Sequence, residues 1–204
     1  MDISFHELTL DPLKLAEIGS LPDGTPITFR PITAQDAGIL GDYFLGLSEW
    51  TKSMYGPHPF DQATADKFCA EINYADTIRF IAVLPEGAGE GVIAYFILQM
   101  GVPEHELNRY KQAGVALNPQ TDCLVAPSVA DAYQSQGIGA IMMRYVFESA
   151  RRLGREWMVL MGGVYTINER AVHFYQKMGF ITVGSFDPPW PNGKLSYDMY
   201  KRIV

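Results

Sequence analysis

An α/β domain is what this sequence predicts, and three stretches predict it. Residues Asp122 to Arg152 run from a short apolar strand through a glycine turn into a long apolar-periodic helix. Thr77 to Leu84 and Val92 to Met100 are apolar strands joined by the hairpin connection Pro85-Glu-Gly-Ala-Gly-Glu-Gly91. Asn168 to Phe186 pass from a capped helix into another strand. The 204 residues suffice for one domain with a sizeable core.

Taken in order, residues 1–14 fit a short strand and turn added to the front of the domain. Leu15 to Gly19 and Pro26 to Ile32 flank Pro22-Asp23-Gly24, where proline sets one turn angle and glycine supplies another, which predicts a hairpin. Thr33-Ala-Gln-Asp36 introduces a helix containing Ile39, Leu40, Phe44 and Leu47. An aromatic loop follows from Trp50 to Phe60, with His58 between Pro57 and Pro59. Asp61 to Asn73 is helical by the spacing of Ala65, Phe68, Cys69 and Ile72. Beyond the two strands, Gly101 to Thr121 is a polar excursion with room for a short helix; it carries Glu104, His105, Glu106, Arg109 and Tyr110. The helix around Ile141 has one buried face, Ile138, Ile141, Met142, Tyr145, Val146 and Leu153, and stops at Gly154. Glu156 to Gly162 reads as a buried strand. Asn168 caps a helix whose Ala171, Phe174, Tyr175 and Met178 share a face, and Gly179 ends it. Phe180 to Phe186 and Leu195 to Val204 make a last hairpin around Pro188, Pro189, Trp190 and Asn192-Gly193.

Composition narrows the function. Hydrophobic residues are 48% and charged residues 19%, as in ordinary soluble domains. The net charge of −7 argues against general binding to nucleic acid or anionic membranes. No apolar run approaches the length of a bilayer and no charged-then-apolar leader opens the chain, so cytoplasm is the expected location. Cys69 and Cys123 form no framework, and His6, His58, His105 and His173 are scattered, so no metal site is expected.

The turn between strand and helix carries the first functional signal. No carboxylate occurs from Gln134 through Phe147, although helix N-termini usually collect Asp or Glu. A first turn without acids, entered through Gly137 and Gly139, leaves the positive end of the helix to an external anion, which suggests a phosphate-bearing ligand. Two glycines that merely make a tight turn account for the same residues. A Walker A loop is excluded because no Gly-Lys-Ser/Thr follows, and Met142 stands where a dinucleotide fingerprint needs its third small residue.

Gln134-Ser-Gln-Gly137-Ile-Gly139 matches the Q/R-x-x-G-x-G/A signature of the GNAT N-acetyltransferase superfamily, with Val129 and Tyr133 in the expected places. Asn168-Glu-Arg-Ala171-Val-His-Phe174-Tyr175-Gln-Lys-Met-Gly179-Phe180 resembles that family's N-x-x-A-x-x-F/L-Y-x-x-x-G-F segment, and the order of elements agrees. The resemblance covers residues 26–204 as a single domain, with motif support from about 122 to 186; residues 1–25 precede it as an extension packed on the domain. It implies a mixed, mostly antiparallel central sheet of six to seven strands flanked by about four helices. It also implies an acetyl-coenzyme A-dependent N-acetyltransferase that moves acetyl directly from the thioester to a primary amine.

By the same resemblance, the amides of Gln134, Ser135, Gln136, Gly137, Ile138, Gly139 and Ala140 hold the pyrophosphate. The pantetheine arm pairs like an extra strand beside Ser128, Val129 and Ala130, where two core strands splay apart. Pro127 lacks an N–H and suits a ladder that breaks there, as it suits an ordinary edge. Tyr175 is the expected general acid for the leaving thiolate, and Asn168 either touches coenzyme A or only caps its helix. The base is not legible. Many relatives carry a glutamate on the strand before the loop, where this chain has Leu124 and Ala126. Asp122 is the nearest carboxylate, and Glu104, Glu106, His105, His58 and a water wire are alternatives. Trp50, Tyr55, His58 and Trp190 are expected to border the acceptor, a small-molecule or peptide amine. No metal, nucleic-acid or membrane partner is expected, and homodimer formation stays open. The missing base keeps a second reading, a catalytically degenerate acyl-coenzyme A sensor.

Overall fold

The computed structural model describes residues 2–85, 91–188 and 193–203. At the front, Ser4 and Glu7 cap each other's backbone: Glu7 N–H donates to Ser4 Oγ at 3.2 Å and Ser4 N–H to Glu7 Oε2 at 3.0 Å. That reciprocal box starts a helix, α1 (Phe5–Leu10), where a strand was expected. A 3₁₀ turn over Pro12–Leu15 leads into the hairpin β1 (Glu17–Ser20) and β2 (Pro26–Pro31). Leu8 and Leu15 are fully buried, and the Tyr145 hydroxyl donates to the Leu15 carbonyl at 2.7 Å, so these first residues join the main core.

The remaining elements are α2 (Ala37–Gly46), α3 (Glu49–Ser53), α4 (Gln62–Ala70), β3 (Thr77–Leu84), β4 (Gly91–Met100) and α5 (Glu104–Gln112). They are followed by β5 (Cys123–Val129), α6 (Ile138–Arg152), β6 (Trp157–Leu160), β7 (Val164–Tyr165), α7 (Glu169–Lys177), β8 (Ile181–Phe186) and β9 (Ser196–Arg202). The nine strands of the described residues form one sheet in the order β1-β2-β3-β4-β5-β6-β9, with β7 and β8 also pairing β9. All pairings are antiparallel except β5–β6, whose crossover is α6. This is the mixed, mostly antiparallel architecture expected. Its additional members are β1, the two-residue β7 and the short helices α1, α3 and α5.

The sheet divides two cores. On one face Phe80, Phe96, Leu98 and Val125 pack with Met142 and Val146 of α6; on the other Ile81, Tyr95, Ile97 and Ala126 pack with Leu40 and Phe44 of α2. Burial on both faces explains why β4 reads as a nearly continuous apolar run. No helix among the described residues is long and apolar enough to cross a membrane.

One irregularity positions the site. The β5–β6 ladder has only three register pairs, Cys123 with Met158 through Val125 with Leu160, and ends where the Met161 N–H donates to the Val125 carbonyl at 3.0 Å. Beside β4, strand β5 continues to the pair Ala94 and Val129. The far edge of β5 is therefore open from Ala126 onward. The chain after β6 turns away through Gly162 and Gly163, at φ +69° and +71°. A Cβ at Gly163 would sit 2.7 Å from the Tyr197 carbonyl oxygen, so only glycine fits the turn.

Candidate active site

Helix α6 begins on Gly137 in the left-handed region, at φ +86°, with no side-chain cap and no acid in its first turn. Ser135, at φ +62°, is left-handed as well, so the segment coils tightly before the helix. The first N–H groups of a helix have no intrahelical acceptor, and here they keep the positive end of the dipole uncompensated. Gly139 packs α6 on its neighbours: a Cβ there would lie 3.4 Å from Phe174 of α7 and 3.7 Å from Val129 of β5, ordinary contact distances.

The loop before α6 is tied down from both sides. Gln134 Nε2 donates to the Val129 carbonyl at 2.9 Å and to Thr51 Oγ1 at 3.2 Å. Asp131 accepts from the Ser48 N–H at 2.8 Å, from Ser48 Oγ at 2.7 Å and from Thr51 Oγ1 at 2.7 Å, which fastens the start of α3 to the loop. The Ala130 N–H donates to the Ile93 carbonyl, so Val125, Pro127 and Val129 are the β5 residues whose peptide groups face away from β4. The Val129 N–H and the Pro127 carbonyl thus point into the split. Ser128 and Ala130 direct their backbone to β4, and Ser128 Oγ accepts from the Tyr43 hydroxyl at 2.8 Å.

Two cavities meet at the split. The outer one, about 420 Å³, runs from Ser135, Gly137 and Gly139 past Arg170, His173 and Lys177. Its lining among the described residues holds three basic side chains and no carboxylate. The inner one, about 360 Å³, is bounded by Leu124, Ala126, Met161, Gly162 and Tyr165 from the sheet and by Pro103, His105 and Glu106 from α5 and its entry. Met54, Tyr55, Pro127, Asn168, Ala171 and Tyr175 line both, so they form the passage between them. Tyr175, 7% exposed, is delivered by α7, whose cap Asn168 accepts the Ala171 N–H at 3.2 Å. Burial raises the pKa of its phenol, which stays protonated through the physiological range.

Residues 102–182, from α5 into β8, match the family model of the acetyltransferase (GNAT) domain. The chain has the GNAT fold. The GNAT domain of S. lividans PAT superposes with a TM-score of 0.70 at 18% identity, over 94% of this chain and 98% of that one. The ribosomal-protein-S5-alanine acetyltransferase of Vibrio fischeri gives 0.66 at 15% identity, covering 86% of this chain and 92% of its own. The acetyltransferase yncA of Salmonella typhimurium, described as putative and solved with its cofactor acetyl-CoA, gives 0.61 at 12% identity, covering 87% and 94%. No curated protein sequence matches the chain.

Within this GNAT fold the residues read from the sequence separate into three groups. Ser128, Val129, Gln134, Ser135, Gly137, Gly139 and Ala140 line the outer cavity, Gln136 and Ile138 line neither, and Asn168, Tyr175 and Tyr55 stand in the passage itself. Trp50, 57% exposed, lines the outer, cationic cavity. Asp122 is not brought to either cavity. It is buried at the end of the 118–122 turn, where it accepts the Asn118 N–H at 2.6 Å, and burial raises its pKa. His58 is not brought there either. It lies among Phe44, Phe60, Phe68 and Tyr95, with ring centroids 4.8 to 5.6 Å away, and burial lowers its pKa to about 4. Trp190 lies outside the described residues.

Sequence reasoning did not single out Arg170 and Lys177, the cations of the outer cavity. Both fall in the helix after Asn168, at positions the motif leaves free, and their i, i+7 spacing was the available signal. Glu106, one of the alternatives for the base, forms part of the inner wall. Glu106 Oε1 accepts the Gly162 N–H at 2.9 Å, and burial pushes its carboxyl up to about 7. Among the described residues no group of three or more His, Cys, Asp or Glu side chains is arranged to hold a metal.

Proposed function

We propose that this protein is an acetyl-coenzyme A-dependent N-acetyltransferase acting on a primary amine, with Tyr175 as general acid. The observation that carries the reading is the uncapped, carboxylate-free start of α6, opening on the β5–β6 split with Tyr175 in the passage. Bound acetyl-coenzyme A supplies an activated acetyl thioester. The free amides from Ser135 to Gly139, backed by the dipole of a fifteen-residue helix and by Arg170 and Lys177, suit its pyrophosphate without a metal ion. The Val129 N–H and Pro127 carbonyl offer an edge to the amides of the pantetheine arm. Tyr175 then stands where a leaving thiolate needs a proton, and its raised pKa keeps that proton available. The inner cavity takes the amine.

Calorimetric titration with acetyl-coenzyme A tests the site. Wild type should bind, and Gly137→Glu should lose roughly 100-fold or more in affinity through charge and bulk at the anion site, with its circular dichroism unchanged. Nothing lies within 4 Å of a Cβ at residue 137, so the fold has room for the new side chain. Because φ is +86° there, Gly137→Ala is the control for backbone strain. Absence of binding to wild type sinks the cofactor assignment, and unchanged affinity in Gly137→Glu sinks its placement. Leu124 and Ala126, where many relatives carry a glutamate, favour the sensor reading, in which binding is retained but no amine releases free thiol.

A further inference from the structure

On the inner side of the passage, α5 delivers a carboxylate that neither sequence motif contains. Glu106 is 2% exposed; Oε1 is fixed by the Gly162 N–H at 2.9 Å, while Oε2 is buried with no hydrogen-bond partner. Arg109 stands 3.6 Å from Oε2, but its fork is engaged with Asp198, Nε to Oδ2 at 3.0 Å and Nη2 to Oδ1 at 2.9 Å, and it stacks on Phe186 at 3.9 Å. Two buried carboxylates therefore share one guanidinium, and the cluster is short of one positive charge. A deficit in a low-dielectric setting is filled by a proton or by another cation. Two other titratable side chains stand near it, neither within hydrogen-bond distance of Oε2. His105 is largely exposed with Nε2 3.9 Å from Oε1, and Tyr110 is neutral and donates to the Met199 carbonyl at 2.8 Å. The inner cavity that Glu106 lines contains no Lys or Arg and no second carboxylate among the described residues.

We propose that Glu106 is the general base of the acetyl transfer, and that the acceptor enters the inner cavity as a primary ammonium ion drawn by this unbalanced carboxylate. This rests on the transferase reading above. The ammonium gives one proton to Glu106, and the freed nitrogen lone pair forms the C–N bond as the C–S bond breaks. The departing thiolate takes the Tyr175 proton. The second proton lost by nitrogen replaces it on Tyr175, and Glu106 releases the first to solvent after the product leaves. The base thus comes from a helix between β4 and β5, and Leu124 and Ala126 are apolar because the strand does not supply it.

Free-thiol release from acetyl-coenzyme A, with n-butylammonium as the probe acceptor, tests this on the full chain. For wild type kcat/KM should climb tenfold per pH unit up to about 7, where burial holds Glu106, and then level off while the probe is still protonated. Glu106→Gln, which retains an acceptor for the Gly162 N–H, should lower kcat/KM by about 10² to 10³ and erase that limb, with acetyl-coenzyme A affinity unchanged by calorimetry. With hydroxylamine, which is neutral at pH 7 and needs no deprotonation before attack, the same variant should lose less than about tenfold. A loss within threefold for butylammonium overturns the proposal, as does a wild-type rate that climbs to the pKa of the amine itself. Wild type that binds acetyl-coenzyme A but never turns butylammonium over also overturns it, while leaving the cofactor assignment standing. Wild type that binds no acetyl-coenzyme A overturns both.

Discussion

Two aromatic-lined side chains, Tyr175 and His58, show how far a residue's surroundings decide its chemistry. Both are flanked by residues that suggest function in the sequence, a motif in one case and a Pro-His-Pro loop in the other. Tyr175 packs on Phe174 and Phe180 yet lines both cavities, so it faces open space as well as core. Tyr175→Phe should therefore lower turnover about 100-fold and leave acetyl-coenzyme A affinity within twofold, read as kcat against a calorimetric Kd. His58 is turned inward by contrast, with Nδ1 on the Pro59 carbonyl at 2.7 Å and five rings about it. The motif spacing made Tyr175 legible. Nothing local told His58 from a surface-loop histidine, because the phenylalanines around it come from α2, α4 and the loop between α3 and α4.

At the scale of elements, the site depends on β6 leaving β5 after three pairs. Gly162 and Gly163 make that departure and also present the N–H that fixes Glu106. Gly163→Ala should cost roughly 2 kcal/mol or more, since it adds a left-handed penalty to a 2.7 Å contact with the Tyr197 carbonyl; the denaturant midpoint measures it. Turnover should fall further than stability accounts for, because the shift reaches the Glu106 anchor. The strand and the two helices carrying motifs were readable from periodicity and caps. The Ser4-x-x-Glu7 box was equally readable as a helix start, and the strand expectation for residues 1–14 missed it. Helix α5 had a polar sequence with room for a helix but no cue to its buried side. Glu106 and Tyr110, one turn apart, face inward only because the turn after β6 supplies the Gly162 N–H and β9 the Met199 carbonyl.

For the molecule as a whole, two buried groups tilt stability in opposite directions with pH. Folded Glu106 keeps its proton to about 7, whereas the unfolded carboxyl loses it near 4.5, so its contribution to stability falls as pH rises through that window. Folded His58 stays neutral to about 4, whereas the unfolded imidazole protonates near 6.5, so its contribution falls as pH drops through that window. Each is worth on the order of 3 kcal/mol, and they offset each other where the windows overlap. The stability of Glu106→Gln relative to wild type should therefore grow from pH 4.5 to 7 and then level off. For His58→Phe the gain should be largest near pH 4 and absent above 6.5. Urea titrations at several pH values check both, and parallel curves for variant and wild type would remove the assignment.

By itself the sequence determined the α/β class, the order of its principal elements, the acid-free helix start and the position of Tyr175. Each of these is a local property, set by periodicity, caps and glycine conformations within a few residues. The tertiary structure alone decided where the carboxylates ended. Asp122, close to the phosphate loop in sequence, closes a buried turn, and Glu106, sixteen residues earlier, reaches the inner cavity. The physical reason is that a buried charge is placed by its partners, and those of Glu106 lie on the turn after β6 and on α5, whose Arg109 is in turn held by Asp198 of β9, segments brought together only when the sheet forms.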